Sequence, residues 1–128
     1  MNATVLTLGL FRCLTSWNTS QYYRRHHDYL PGQVHKPQGP RVLTVFLYLN
    51  DVVEGGGGTR FTELDITVEP RLGRALIWPS VLDRNPTSHE PLTYHEALPV
   101  EGGEKYAANA WARPPACFAT FHAILMFR

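Results

Sequence analysis

Glycine and proline interrupt this chain so frequently that long helices have little room to form between them. The sequence contains 10 glycines and 10 prolines among 128 residues. The segments that they separate are short, apolar and rich in β-branched or aromatic side chains, and none has a convincing amphipathic helical pattern. Many short strands joined by Gly/Pro turns predict an all-β fold, which is a sandwich, a barrel or a jelly roll.

The clearest predicted strand is RVLTVFLYLN, residues 41–50, because it is apolar on both faces, as a buried strand is. Shorter strands are predicted over residues 65–70, 74–80 and 94–100. Residues 105–113, KYAANAWAR, fit either an alanine-rich helix or a strand. Their place after a Gly-Gly turn favours the strand.

Four consecutive glycines, residues 55–58, follow the central strand. Glycine runs allow positive φ and a tight reversal of the chain. A phosphate-binding loop would need Lys-Ser or Lys-Thr after a glycine, and neither dipeptide follows here. The glycines are therefore interpreted as a turn.

The length suits one domain, which is predicted over residues 20–113. Residues 1–19 and 114–128 lack the polar alternation of the middle and are interpreted as an atypical N-terminal segment and an atypical C-terminal tail. The net charge of +1 argues against a nucleic-acid partner, and no apolar run is long enough to predict a membrane span. Cys13 and Cys117 match no metal spacing and no small disulfide framework.

The segment SQYYRRHHDYLP, residues 20–31, offers candidate metal ligands. Side chains alternate between the two faces of a strand, so His26 and Asp28 share one face and His27 points to the other. A third ligand would have to come from a neighbouring strand. The candidates are His35, His89, His95 and His122, of which His95 is favoured because it opens a strand-like segment.

Two histidines and one carboxylate form the facial triad of non-heme Fe(II) oxygenases. Zinc could use the same ligands, and a solvated histidine or one that packs in the core is the common alternative. Lys105 favours the oxygenase, because a buried ammonium beside a metal is costly unless an anion compensates it, and an oxoacid cosubstrate supplies a carboxylate. A lysine that merely snorkels at a strand end is the alternative.

Four segments together resemble the 2-oxoglutarate- and Fe(II)-dependent dioxygenases, specifically the prolyl 4-hydroxylase family (the catalytic domain of the alpha subunit). They are QYYRRHHDY, RVLTVFLYLNDVVEGGGGTRF, VEPRLGRALIWPS and HEALPVEGGEKYAANAW, which together span residues 21–111. The resemblance implies a double-stranded β-helix, a jelly roll whose mouth holds the iron. It implies that His26, Asp28 and His95 are the iron ligands, with His27 as a neighbour that does not bind the metal.

The resemblance also implies roles around the metal. Lys105 would pair with the C5 carboxylate of 2-oxoglutarate, Tyr48 would help to bind that carboxylate, and Thr59 and Thr44 match positions near the cosubstrate. Residues of the substrate pocket would be Tyr23, Trp111 and Arg24. Ordinary core packing is the alternative for Tyr23, Tyr48 and Trp111.

The activity that this family implies is hydroxylation of peptidyl proline to 4-hydroxyproline, with release of succinate and CO₂. Fe(II), 2-oxoglutarate and O₂ would take part, and ascorbate would rescue oxidised iron. The partner would be a proline-containing peptide in an extended or polyproline II conformation, which suits an aromatic-lined groove. Relatives work in the secretory pathway in many cases, but the sequence leaves both localisation and oligomeric state open.

The ends of the chain depart from the family pattern. Family members usually carry helices and at least one strand before the first ligand strand, and Pro114-Pro115 breaks the last strand just beyond Trp111. We therefore expect the N-terminal bracing elements to be truncated. We also expect the chain to be a fragment, a truncated isoform or the product of a gene model with wrong ends. Three alternatives stay open: an inactive jelly roll that binds metal or peptide without turnover, an oxygenase of this fold with another substrate, and a structural zinc domain.

Overall fold

The computed structural model describes residues 13–113 and 125–127, and its side chains are described from Thr15 to Arg113. In this part of the chain the regular structure is nearly all strand, with 3-10 turns at Pro31–Gln33 and Pro91–Thr93. The strands are β1 (Cys13–Asn18), β2 (Tyr23–His26), β3 (Leu43–Tyr48), β4 (Thr59–Phe61), β5 (Ile66–Val68), β6 (Ala75–Pro79), β7 (Val81–Leu82), β8 (Asn85–His89), β9 (His95–Ala97), β10 (Glu104–Ala112) and β11 (Leu125–Phe127).

Two antiparallel sheets make up the fold. The larger has the strand order β1-β10-β3-β6-β11 and the smaller has the order β2-β9-β4-β5, while β7 and β8 form a separate hairpin. Strands that are neighbours in space come from distant parts of the chain, as in a jelly roll. The predicted all-β jelly roll is confirmed.

The core is built mainly from bulky side chains of the central strands. Its buried cluster comprises Phe46, Tyr48, Phe61, Val68, Leu76, Trp78 and Ala107. Strand β3 lies between β10 and β6, and its side chains are buried or half-buried on both faces of the sheet, in agreement with a sequence that is apolar on both faces. The prediction of a strand rather than a helix over residues 105–113 is also confirmed, since β10 covers almost all of that segment.

The chain turns at residues 52–55, where the Gly55 N–H bonds to the Val52 carbonyl oxygen at 3.4 Å. The glycine run completes this turn and continues to Gly56, which is bridged to Val100. Gly55, Gly56 and Gly57 have φ values of 94°, 76° and 69°, a region that residues with a Cβ rarely adopt. A Cβ at Gly56 would lie 2.3 Å from the carbonyl oxygen of Pro99. Because the two backbones approach so closely, the turn fixes β4 against the segment that leads into β10.

Several expectations about local structure were wrong. Strand β2 ends at His26, so Asp28 lies just beyond the strand and not on it. Residues 59–61 and 85–89, for which no strand was predicted, form β4 and β8, and His89 ends β8. A polar sequence rich in turn-forming residues forms a strand here because neighbouring strands supply hydrogen-bond partners for its backbone.

The structure describes only part of the predicted N-terminal segment, residues 1–19, and only part of the predicted C-terminal tail, residues 114–128. Residues 13–18 of the predicted N-terminal segment pair with β10 along their whole length. His122 and Cys117 lie outside the described residues. Within the described part of the chain, no helix is long and apolar enough to cross a membrane.

Candidate active site

Three of the sequence-predicted ligands converge at one end of the smaller sheet. His26 ends β2 and His95 begins β9, and the two residues are paired in the ladder. Asp28 reaches the same point from the loop after β2, and the ligand atoms of all three residues lie within 4.8 Å of one another. The Nε2 atoms of His26 and His95 lie 3.7 and 4.0 Å from Oδ1 of Asp28.

Both imidazoles are oriented by a backbone carbonyl two residues earlier in the chain. Nδ1 of His26 lies 2.8 Å from the carbonyl oxygen of Arg24, and Nδ1 of His95 lies 2.9 Å from that of Thr93. A carbonyl only accepts hydrogen bonds, so each Nδ1 carries a proton, and in the neutral ring the lone pair belongs to Nε2, the nitrogen that faces Asp28. Burial lowers the pKa of His26 and nearby His95 lowers it further, which favours the neutral ring that binds metals.

The carboxylate of Asp28 is buried and its two oxygens have different environments. Oδ2 accepts a hydrogen bond of 2.6 Å from Oγ1 of Thr44, while Oδ1 faces the two imidazoles. Two neutral imidazole nitrogens and one carboxylate oxygen directed at one point fit an Fe(II) ion with open positions. The side chain of Thr44, which was expected near the cosubstrate, contacts Asp28.

A cavity of about 610 Å³ lies over these three residues. Among the predicted site residues, Tyr23, Thr59 and Trp111 line it, together with the three candidate ligands. Arg24 is exposed and lies outside this wall, at a shallow surface depression with Tyr22 and Tyr23.

Sequence reasoning missed several residues of the cavity wall, among them Trp17, Arg41, Trp78 and Asn109. The guanidinium of Arg41 stacks 3.6 Å from the ring centre of Trp111. Nε1 of Trp78, Nε1 of Trp111 and Oδ1 of Asn109 are buried and have no hydrogen-bond partner among the described residues. The period-2 alternation of β10 places Asn109 and Trp111 on one face, which is the signal that could have identified Asn109.

Lys105 lies deep in the molecule, with 1% of its surface exposed. Its ammonium donates a hydrogen bond of 2.6 Å to the carbonyl oxygen of Gly57, and it lies 4.7 Å from the ring centre of Trp17 and 5.4 Å from that of Tyr48. Burial lowers its pKa to about 8, an effect that Glu69 opposes. No carboxylate in the described part of the chain forms an ion pair with it.

Tyr48 lies next to this lysine and is hydrogen-bonded to Thr59. The Tyr48 hydroxyl donates to the carbonyl oxygen of Val68 at 2.9 Å, so Thr59, whose Oγ1 is 2.7 Å away, donates to Tyr48. Burial raises the pKa of Tyr48, which keeps its hydroxyl protonated. Lys105 and Tyr48 do not belong to the cavity wall, whereas Thr59 both lines the cavity and bonds to Tyr48.

His27 packs away from the candidate ligands. Its ring is stacked on that of His89, with centroids 4.4 Å apart and an angle of 5° between the planes, and Tyr94 meets it edge to face. This arrangement agrees with the expectation that His27 is a neighbour of the metal ligands and not one of them.

Comparison with known proteins identifies the family. The model of the 2OG-Fe(II) oxygenase superfamily matches residues 11–113. The chain belongs to this superfamily. Prolyl 4-hydroxylase 1 of Arabidopsis thaliana is 34% identical over an alignment of 116 residues, which covers 78% of this chain and 39% of that protein. The family predicted from the sequence motifs is thereby confirmed.

A solved structure supports the same assignment. The viral collagen prolyl hydroxylase of Paramecium bursaria Chlorella virus-1, in a 2OG complex, is 33% identical, with a TM-score of 0.68 over 78% of this chain and 56% of that one. A prolyl-4-hydroxylase of Pseudomonas putida shares the fold, at a TM-score of 0.56 and 24% identity. The chain thus spans about two fifths of the curated plant relative and somewhat more than half of the viral protein.

Proposed function

We propose that this chain is the catalytic part of a 2-oxoglutarate- and Fe(II)-dependent dioxygenase that hydroxylates peptidyl proline to 4-hydroxyproline, releasing succinate and CO₂. The observation that carries the proposal is the convergence of His26, Asp28 and His95 beneath a cavity, in a superfamily whose related proteins are named prolyl hydroxylases.

His26, Asp28 and His95 would hold the iron. When bound, Fe(II) would supply the redox chemistry that activates O₂ at the expense of 2-oxoglutarate. The protein's part is to present two neutral imidazole nitrogens and one carboxylate oxygen on one side of the metal. The backbone carbonyls of Arg24 and Thr93 fix both rings in the tautomer that this requires.

Lys105, Tyr48 and Thr59 would bind the C5 carboxylate of 2-oxoglutarate. The ammonium of Lys105 has no carboxylate partner within the described residues, so a dicarboxylate ligand would provide the missing counter-charge in a place where an isolated cation is costly. Its pKa of about 8 leaves it mostly charged at neutral pH. Thr59 is the member of this group that reaches the cavity wall.

The peptide would occupy the cavity above the metal. Tyr23 and Trp111 provide aromatic walls of the kind that suits an extended proline-rich chain, and Arg24 lies exposed beside Tyr23. Trp111 and Asn109 both line the cavity, and the Trp111 indole N–H and the Asn109 side-chain oxygen are buried without a hydrogen-bond partner among the described residues. Ascorbate is expected to sustain turnover.

Turnover itself tests this proposal. The protein is incubated with Fe(II), 2-oxoglutarate, ascorbate and a (Pro-Pro-Gly)-type peptide, and both succinate and 4-hydroxyproline are quantified. We expect the two products in equal amounts and neither from Asp28→Ala. Succinate without hydroxyproline would favour an oxygenase with another substrate, and metal binding with neither product would favour an inactive module. Elemental analysis that finds tightly held zinc would favour the structural zinc domain.

A further inference from the structure

The two oxygens of the Asp28 carboxylate differ in their hydrogen-bond partners. Oδ1 faces the two imidazoles, and Oδ2 accepts the 2.6 Å hydrogen bond from Thr44. Asp28 is 7% exposed and Thr44 is fully buried, so water cannot readily replace this bond. Sequence reasoning assigned Thr44 to the cosubstrate, and no part of the site described above accounts for its contact with the metal ligand.

The direction of the bonds follows from the proton inventory. An ionised carboxylate only accepts, so Thr44 spends its single hydroxyl proton on Asp28. Oγ1 of Thr44 lies 3.3 Å from Oγ of Ser80 and can therefore only accept from it. The result is a directed chain in which Ser80 donates to Thr44 and Thr44 donates to Asp28, at a place where both hydroxyls are buried.

The backbone that carries the Thr44 and Ser80 hydroxyls is held more firmly than the backbone that carries the Asp28 carboxylate. Thr44 lies inside β3, where it is paired with Trp78 of β6 on one side and Trp111 of β10 on the other. Ser80 is held through its backbone, which donates to Val42 and accepts from Glu90. Asp28, in contrast, lies in the loop beyond β2. The sheet thus restrains a loop residue through a side-chain hydrogen bond.

We propose that Thr44 is a positioning residue that keeps Oδ2 of Asp28 away from the metal, so that the carboxylate occupies one coordination position through Oδ1. This inference rests on the proposed function. A facial triad leaves three open positions, and 2-oxoglutarate needs two of them. A carboxylate that bound through both oxygens would take up one of these positions and would compete with the cosubstrate.

Thr44→Val and Thr44→Ser separate the hydroxyl from the bulk of the side chain. Valine keeps the volume and loses the donor, whereas serine keeps the donor and loses a methyl group. Mn(II) affinity is measured first by calorimetry, and 2-oxoglutarate affinity is then measured on protein saturated with Mn(II). We expect Thr44→Val to bind Mn(II) roughly 10- to 100-fold more weakly and to bind 2-oxoglutarate about tenfold more weakly even at metal saturation.

Thr44→Ser is expected to restore both affinities to within about threefold of the wild type, because the donor to Oδ2 is retained. A purely structural role for Thr44 would not weaken 2-oxoglutarate binding in folded protein that is already saturated with metal. Thermal melting followed by circular dichroism establishes that each variant is folded before binding is measured.

Wild-type affinities for both Mn(II) and 2-oxoglutarate in Thr44→Val would overturn the inference, as would a serine variant that is as defective as the valine variant. If Thr44→Val does not fold, Ser80→Ala is tested in its place. We expect this variant to lose affinity for both Mn(II) and 2-oxoglutarate, by smaller factors than Thr44→Val. Unchanged affinities would contradict the hydrogen-bond chain from Ser80 through Thr44 to Asp28. A folded wild type that binds no Mn(II) would instead overturn the proposed function, and this inference with it.

Discussion

The two ends of the candidate active site solve opposite electrostatic problems. At the metal end, the imidazoles of His26 and His95 are oriented by carbonyls two residues earlier, and burial favours the neutral ring of His26. At the other end, Lys105 is an almost fully buried cation that bonds to the Gly57 carbonyl. The first end is prepared to receive a cation and the second to receive an anion.

The two ends also differ in how the chain builds them. Each imidazole of the metal end is set by a local contact, which a short motif can encode. The lysine end joins residues from β10, β3, β4 and the glycine run, and the register that places Trp17 opposite Lys105 spans most of the chain. We therefore expect substitutions at the lysine end to lower cosubstrate affinity while metal affinity stays intact.

Lys105→Met should have the largest effect on cosubstrate binding. It removes the cation while keeping a long apolar side chain, so we expect 2-oxoglutarate affinity to fall by at least about 100-fold, in line with the loss of a buried charge pair. Mn(II) affinity should change little. The exposed Lys36→Met serves as the matched control, and equal loss of Mn(II) and 2-oxoglutarate binding would contradict the separation of the two ends.

The pH dependence of cosubstrate binding should be the next largest effect. Lys105 has a pKa of about 8 in the fold, so 2-oxoglutarate affinity is expected to fall by up to about tenfold per pH unit above pH 8. Calorimetry on Mn(II)-saturated protein between pH 7 and 9, performed anaerobically, measures this decline. An affinity that stays level across that range would argue against charged Lys105 as the carboxylate's partner.

The same lysine should make the free energy of unfolding rise with pH, whereas it makes cosubstrate affinity fall. Its pKa is lowered from the ordinary value of 10.5, so between about pH 8 and 10.5 the unfolded chain binds more protons than the folded one. Burial of the charged form destabilises the fold fully below pH 8, and this penalty fades as the pH rises through the window. Urea unfolding of metal-free protein should show this gain in stability, and Lys105→Met should lack it.

Tyr48→Phe should have the smallest effect of the series. The change leaves the Thr59 hydroxyl without its acceptor and the Val68 carbonyl without a donor, which should lower the free energy of unfolding by about 1–3 kcal/mol. We expect 2-oxoglutarate affinity to fall by about fivefold to tenfold, as for one lost hydrogen bond, with Mn(II) affinity intact. A variant with wild-type cosubstrate affinity would restrict Tyr48 to a packing role.

The sequence predicted what depends on local pattern. The apolar run of residues 41–50 indicated β3, and the spacing of His26 and Asp28 indicated a shared site even though the strand ends before Asp28. The glycines predicted a turn because few other residues tolerate its φ values.

What the sequence did not predict depends on long-range packing. The contact between Thr44 and Asp28 requires the loop after β2 to lie over β3, which no local pattern records. Asn109 and Trp17 border the cavity only because β10 pairs with β1 and β3 in one particular register. The polar segment that contains His89 became a strand because β7 pairs with it.

The most direct test of the metal end is the anaerobic addition of Fe(II) and then 2-oxoglutarate to metal-free protein, followed by visible spectroscopy. Chelation of the metal by 2-oxoglutarate should give a charge-transfer band in the wild type and in His27→Ala, and none in His26→Ala. Adjacent histidines make this pair of variants a matched comparison. A folded wild type without the band, or a band that survives His26→Ala and disappears with His27→Ala, would contradict the site described here.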